Sequence, residues 1–443
     1  MKHDLLPRKL SDFLRRLTKD RRGNILAIAA AALPLIVGCA GLATDTIQWT
    51  LWKRQLQRAA DSGAIAGVYQ RSTDNGATTN TSTAVCHDLN LNLHTKMALQ
   101  GATPCSGSVG SYTTLSYPTS SSYATNQVRV VLQVRQRLPF SSIFISTPPM
   151  ITATATAASI AAGGSACIMS LGTSGTGIYN NGNTTVAAPT CILFSNSTSA
   201  NSASAGGSSA VTAKAIAAVG GIQQSNNWSV QQYLPYSPAM SDPFANVTPD
   251  PNDMHCTSAA LTDATVVATL GTTNCFSSLS VGSNRTLIMP PNFGPIYING
   301  GGVDLKGAFV CVGCTIVLTN KDPAPNAPIG TVSSNASASN NITAPISGTY
   351  QGIAIYQDRR ATGNTNKING GAGSVITGAV YFPSDTLQLN GTGDTVSLCS
   401  MFIAKNVVFT GTSTLAISSP DDTACSGSGM PSNSATRVVR LIA

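Results

Sequence analysis

The sequence predicts a mainly β protein with an N-terminal transmembrane α-helix and an extracytoplasmic, parallel β-helix-like body, preceded by a small β or α+β module. Three observations predict this class: an uncharged apolar run at residues 25–43, short apolar bursts separated by Gly and Asn beyond residue 166, and a charged content of only 10%. We expect six segments: a cytoplasmic basic tail (1–22), a transmembrane helix (23–44), a membrane-proximal amphipathic helix (45–69), a small β-rich module (70–160), a β-helix-like domain with loop excursions (161–430) and a C-terminal strand or tail (431–443).

Positive charge is concentrated at the start of the chain. Residues 1–22 hold eight Lys or Arg and three Asp, whereas residues 73–443 hold 14 basic and 13 acidic residues. A nucleic-acid-binding surface needs basic side chains on the folded body, so we expect no nucleic-acid partner. As a helix, the apolar run spans about 28 Å, close to the thickness of a bilayer core, and the preceding Lys and Arg favour a cytoplasmic N-terminus.

Two processing alternatives compete with an uncleaved anchor, which we favour. The run LIVGC at residues 35–39 looks like a lipobox, which would make Cys39 a lipidated first residue. Ordinary signal cleavage after Ala43 is the second alternative.

The cysteines indicate export. Of eleven cysteines, ten lie beyond Cys39, an even number typical of an oxidising compartment. Pairing of sequential neighbours gives five candidate disulfides: Cys86–Cys105, Cys167–Cys191, Cys256–Cys275, Cys311–Cys314 and Cys399–Cys425. The Cys311–Cys314 spacing also suits a redox or zinc motif, but no second such pair and no nearby His completes a zinc site.

The helix is expected to continue beyond the membrane, since Trp49, Trp52 and Leu56 recur at helical spacing and Trp is common at lipid boundaries. A stripe of small residues then follows at helical spacing: Ala59, Ala60, Gly63, Ala64 and Gly67. Such a stripe lets another element approach closely. The spacing leaves open whether that element belongs to the protein's own body or to a partner such as a pilin.

The same region resembles a known family. The matching segments are KDRRGN at 19–24, LPL at 33–35, GLATD at 41–45 and KRQLQRAADSGAIAG at 53–67. Together they are similar to the N-terminus of TadG-like proteins of Flp/Tad (tight adherence) pilus assembly, over about residues 19–68. The resemblance implies a bacterial inner-membrane anchor, a periplasmic or extracellular body, and pilin-like or other pilus-assembly partners. Ile28 stands where pilin-like relatives have the Glu that marks peptidase processing.

The sequence of the exported body predicts short strands. Alternating apolar residues predict strands at 127–138 and 151–157, and residues 437–442 read as an edge strand, whereas residues 70–125 read as loops. The block ING at 298–300 recurs at 368–370, each followed by similar apolar blocks, with a looser copy at 400–411. These repeats favour a β-helix over a β-sandwich. Residues 195–209, 235–251 and 331–349 read as loops or excursions.

Catalytic patterns are scarce, and we expect no enzyme activity, cofactor or metal. His87 and His94 lack a third ligand, and Asp421–Asp422 reads as a solvated turn. The predicted function is a structural component of pilus assembly or adhesion. One alternative is a lipid-anchored or secreted β-helix that binds a surface polysaccharide. A lesser alternative is a polysaccharide lyase or hydrolase, for which the candidate charged groups are Asp304 with Lys306, and Asp358 with Arg359 and Arg360.

Overall fold

The structure, a computed structural model, describes residues 23–93, 113–121, 124–161, 164–370, 374–391, 394–397, 399–412, 414–431 and 437–442. The chain forms two compact units, Met1–Ala158 with Arg440–Ala443, and Ser159–Val439. The predicted cytoplasmic tail lies outside the described residues, as do His94 and Cys105.

The described part of the first unit contains two helices. Helix α1 runs unbroken over Gly23–Thr73, so the predicted transmembrane and membrane-proximal helices are parts of one element. Helix α2 covers Thr81–Leu93, and here the prediction of loops over residues 70–125 is wrong. The segment is rich in Ser, Thr and Asn, but it also has an apolar face. Val85, Leu89 and Leu93 recur every four residues on that face and are buried.

A four-stranded sheet completes the α+β module, in the order β1-β2-β3-β26. The strands are β1 (Thr113–Ser116), β2 (Ala124–Arg135), β3 (Met150–Ala161) and β26 (Arg437–Leu441). Strands β1 and β2 are antiparallel. In β2 the alternate residues Val128, Val130, Leu132 and Val134 are buried, as the alternating sequence predicts. The C-terminal strand lies at the sheet edge, which confirms its predicted place.

The second unit is built from short strands in two groups. The first group is β4 (Ala166–Ser170), β5 (Ile178–Asn180), β6 (Thr185–Ser195), β7 (Ala203–Ala205), β8 (Ala210–Ala218) and β9 (Trp228–Leu234). The second group is β10 (Leu261–Thr262), β11 (Cys275–Phe276), β12 (Leu279–Val281), β13 (Thr286–Ile288), β14 (Gly294–Asn299), β15 (Val303–Leu305), β16 (Ala308–Val312), β17 (Cys314–Thr319), β18 (Val332–Ser334), β19 (Asn341–Thr343), β20 (Ile353–Gln357), β21 (Thr365–Gly370), β22 (Val375–Gly391), β23 (Asp394–Ser397), β24 (Ser400–Gly411) and β25 (Thr414–Ile417).

Each described pairing in this unit is parallel and joins strands of successive coils. Ile296 pairs with Ile316, and Ile316 pairs with Ile355 on the next coil. These side chains are fully buried in one core that runs along the stack. The fold is therefore the predicted β-helix-like stack, and the β-sandwich alternative is wrong because a sandwich needs antiparallel sheets.

The coils do not stack in chain order. Strand β24, near the end of the chain, pairs with β4 and β5 at the start of the unit. The stack therefore begins with β10–β12, passes through β24 and ends at β9. The chain must return from the last coil to the first, and residues 235–255 make this connection without any strand. We call residues 235–255 the strap; they include the predicted Pro-rich excursion.

Two details of the sequence interpretation are wrong. The apolar block that begins at Gly378 does stack on the looser copy that begins at Ser400, since these two residues pair. The two ING blocks do not stack, because Ile298 lies on β14 and Ile368 lies on β21, on different faces of the stack. The loops expected at 195–209 and 331–349 contain β7, β18 and β19. Their serines are at tight corners: Ser202 is buried, and its hydroxyl donates to the Gly221 carbonyl at 2.6 Å.

Candidate functional site

Helix α1 has an exposed apolar half and a packed half. Eight large apolar side chains on residues 28–51 are more than half exposed: Ile28, Leu33, Leu35, Ile36, Val37, Leu42, Ile47 and Leu51. From Leu56 onward, one face of the helix is buried in the first unit. Among the described residues, this is the one helix long and apolar enough to cross a membrane. Cys39 lies in the exposed half as a free, exposed thiol.

The small-residue stripe lies in the packed half. Ala59, Ala60 and Ala64 are almost fully buried, and α1 packs against α2 and β2. A Cβ atom at Gly67 would lie 2.8 Å from Val128 Cγ1 and 2.9 Å from a methyl of α2, so only glycine permits this approach. At Gly63 the nearest side chain also belongs to α2. Of the two alternatives left by the sequence, the contacts favour packing on the protein's own body.

A polar junction lies at Asp45, within the exposed half of α1. The Asp45 carboxylate accepts hydrogen bonds from the Phe140 amide at 2.9 Å and from the amide and hydroxyl of Ser141. These two amides stand at the start of a 3-10 turn, Ser141–Ile143, and the carboxylate gives them the acceptors that the turn itself does not supply. The Phe140 ring lies directly over Gly41, where a Cβ would lie 2.3 Å from ring carbon Cγ. Sequence reasoning missed this junction because its two sides are about 95 residues apart.

The disulfides of the second unit join sequential neighbours. The bonded pairs are Cys167–Cys191, Cys256–Cys275, Cys311–Cys314 and Cys399–Cys425. Cys311 and Cys314 flank Gly313, whose φ of 70° makes the turn between β16 and β17. The predicted Cys86–Cys105 pair involves Cys105, which is outside the described residues.

A column of tyrosines follows one outer face of the stack. The ladder runs from Tyr297 through Val317 to Tyr356 and Tyr381, and the strand neighbours of these residues point instead into the central core. The strap covers this column: Tyr356 donates a hydrogen bond to the Val247 carbonyl at 2.7 Å, and Tyr381 donates to Asp242 at 2.7 Å. Desolvation raises the pKa of Tyr356 and of Tyr381, so both phenols are neutral donors. The sequence indicated no such column.

Charged residues fasten the strap further. Arg359 donates to the Asp242 carboxylate and to the Phe244 carbonyl, both at 2.8 Å. The residues on either side of Arg359 do not fasten the strap: Asp358 pairs with Arg360 at 2.8 Å, and Arg360 donates to the carbonyls of Asn320 and Asp322. Burial opposes ionisation of Asp358, but hydrogen bonds from Arg360 and Thr319 outweigh it and lower the pKa of its carboxyl.

The candidate acid–base groups do not form one constellation. Asp304, on β15, makes an exposed ion pair with Lys306 at 2.9 Å, whereas Asp358 follows β20 and closes a turn with Arg360. A cavity of about 350 Å³ beside Tyr356 is lined by the strap and these arginines. Its charged side chains already have protein partners, which suits a structural role.

The remaining candidates stay apart. His87 is exposed on α2, His255 is exposed at the end of the strap, and Asp421 accepts a hydrogen bond from Ser165. Within the part of the chain that the structure describes, no three His, Cys or Asp side chains are placed to hold a metal ion. The expectation that the protein needs no metal stays a prediction.

The fold and the helix together define a class of protein: a β-helix-like body with disulfides, in a chain that also has a candidate membrane-spanning helix. Residues 23–71 match the model of a family described as Putative Flp pilus-assembly TadE/G-like. The match covers α1 almost to its end, and it confirms the resemblance that the sequence shows in this region. No curated protein and no solved structure matches the chain.

Proposed function

We propose that this chain is a membrane-anchored, extracytoplasmic structural component of Flp/Tad-type pilus assembly or adhesion that acts through protein–protein contacts. The observation that carries the proposal is the coincidence of the family match at residues 23–71 with α1. In this proposal the exposed half of α1 crosses the bacterial inner membrane with its N-terminus in the cytoplasm. The body then lies in the periplasm or outside the cell.

The continuity of α1 suggests how the anchor works. No break separates the exposed residues from the buried Leu56, so the helix enters the first unit as a rigid rod. A first unit held in this way stays at a fixed height over the membrane, whereas a Gly- or Ser-rich linker would let it diffuse. A fixed height suits a scaffold that assembles pilus components.

The test separates anchoring from pilus assembly. Membrane fractionation with external protease should leave the chain integral and cut only from the non-cytoplasmic side. A matched variant, in which residues 1–44 are replaced by a cleavable export signal, should release the body and abolish pili. Release of the parent protein by high salt argues against the anchor; normal piliation with the released body argues against the assembly role.

We also propose that the body is not an enzyme. The support is that Asp304 and Asp358 each pair with a neighbouring cation on separate coils. Polysaccharide cleavage by the parent protein, lost on Asp304→Asn or Asp358→Asn, would contradict this. Polysaccharide binding stays the alternative, although the tyrosines of the outer column lie beneath the strap and offer no exposed stacking surface.

A further inference from the structure

An apolar loop projects beside the junction of α1. The loop covers residues 139–145, between β2 and β3. Ile143, Phe144 and Ile145 are consecutive and are 71%, 74% and 53% exposed. Serines flank the three residues on both sides, so the patch is a compact apolar tip with a polar rim. Three adjacent large apolar side chains in water are unusual for a soluble surface and indicate a binding surface.

The loop is fixed to α1 where the predicted span ends. Asp45 accepts both amide hydrogen bonds at the start of the turn, and the Phe140 ring lies over Gly41. The Phe140 and Phe144 rings are 5.4 Å apart, so the tip is tied to the same contact. The last residue of the predicted transmembrane helix is residue 44. The tip therefore lies at the level where α1 leaves the bilayer.

We propose that Ile143, Phe144 and Ile145 insert into the outer interface of the same membrane that α1 crosses. The inference rests on the proposed anchor, because that anchor sets the height of the loop. A lipid surface is favoured over a protein partner because Phe144 contacts Phe140, whose ring lies over Gly41 in the exposed apolar half of α1. Amphipathic and aromatic side chains are stabilised at this depth.

This second contact would give the anchor an orientation. A single helix is free to tilt in any direction and to shift in depth, whereas a helix with a lateral apolar contact exposes that contact to water when it rises or tilts away from it. Asp45 would then act as a positioning residue, since its hydrogen bonds hold the loop at one depth. The first unit would sit on the membrane with a defined face outward.

The test measures lipid contact in the full chain reconstituted into vesicles of phosphatidylcholine and phosphatidylglycerol. Trp49 and Trp52 are first replaced by Phe. The constant signal of the third tryptophan, Trp228, which is buried in the second unit, is subtracted with this double variant carrying neither new tryptophan. Phe144→Trp is then compared with Leu91→Trp, a matched control at an equally exposed apolar position of the first unit, 68% exposed. The neighbour of Leu91, Asn92, contacts Ser62, about 25 Å along α1 from Asp45.

We expect lipids brominated in the acyl chains to quench the tryptophan of Phe144→Trp several-fold more than that of Leu91→Trp, with a blue-shifted emission only in the former. Equal quenching in a chain that resists carbonate extraction overturns the lipid contact and leaves the anchor intact. A chain that carbonate extracts overturns the anchor and the loop proposal together. A blue shift that occurs in native membranes but not in vesicles assigns the loop to a protein partner and overturns the lipid contact.

Discussion

Asp242 is the residue on which the strap most depends. Its carboxylate accepts from Tyr381 at 2.7 Å and from Arg359 at 2.8 Å. In Asp242→Ala the Tyr381 hydroxyl loses its partner in a fully buried position, which costs about 1–3 kcal/mol. Arg359 is about one-third exposed and regains water, so the lost ion pair adds less than about 1 kcal/mol. We expect the strap to lose about 2–3 kcal/mol relative to its open state.

Chymotrypsin cleavage after Phe244 measures this opening. Phe244 is 4% exposed and packs edge-on against Tyr381, with ring centroids 5.5 Å apart, so the bond is accessible only when the strap opens. Where opening is fast compared with cleavage, the rate follows the open population. A loss of about 2–3 kcal/mol corresponds to cleavage about 30- to 150-fold faster than in the parent protein.

The matched control is Asp304→Ala. Its ion pair with Lys306 is 2.9 Å long, but both side chains are almost half exposed. Such a pair contributes about 0–1 kcal/mol, and it lies away from the strap contacts. We expect no change in cleavage after Phe244. If Asp242→Ala and Asp304→Ala are cut at the same rate, Asp242 does not hold the strap closed.

Three further perturbations test other contacts. Gly67→Leu should destabilise the first unit by about 1–3 kcal/mol through overpacking, seen as a lower melting temperature, whereas Gly38→Leu, with no atom within 4 Å of a Cβ, should not. Because the folded pKa of Asp358 is lowered, its stabilising contribution is complete above the unfolded value of about 4 and is lost as pH falls through the folded pKa; Asp358→Asn should flatten the acid limb of the stability profile of the second unit, measured by chemical unfolding at a series of pH values. Replacing Cys256 and Cys275 by Ser should free the end of the strap and lower stability by about 3 kcal/mol in chemical unfolding, and an unchanged midpoint would contradict this.

Much of the architecture follows from local patterns. The apolar run predicts the exposed half of α1, because a helix that packs against no other part of its protein needs apolar side chains to be stable in lipid. Alternation predicts β2 and β3, since each has one face on the core. Sequential pairing finds the described disulfides because each coil returns the chain close to its previous turn. These features depend on neighbours in sequence.

The stack order and the tyrosine column do not follow from local patterns. Twenty residues separate Ile296 from Ile316, but 39 separate Ile316 from Ile355, because a loop excursion lengthens that coil. The repeat therefore has no constant period, and similar blocks such as those at 298 and 368 fall on different faces. Asp45 and the loop at 139–145 are likewise joined by a contact that no spacing encodes.

The pairing of β24 with β4 explains why the unit needs both of its groups of coils and the strap. Phe402 lies beside Ile168, and Val407 lies beside Ile178, so the first strands of the unit bury their ladder on strands made more than two hundred residues later. Until β24 is present, β4 and β5 have an open edge, which is a site of mispairing. Contacts of such separation form slowly because loop closure comes before any gain from pairing. Local disulfides, such as Cys167–Cys191, hold the early coils compact during that interval, while the strap later ties the end of the stack to its beginning. If the chain is exported as we propose, it meets water before it is complete, and this combination then limits aggregation of the unfinished coils.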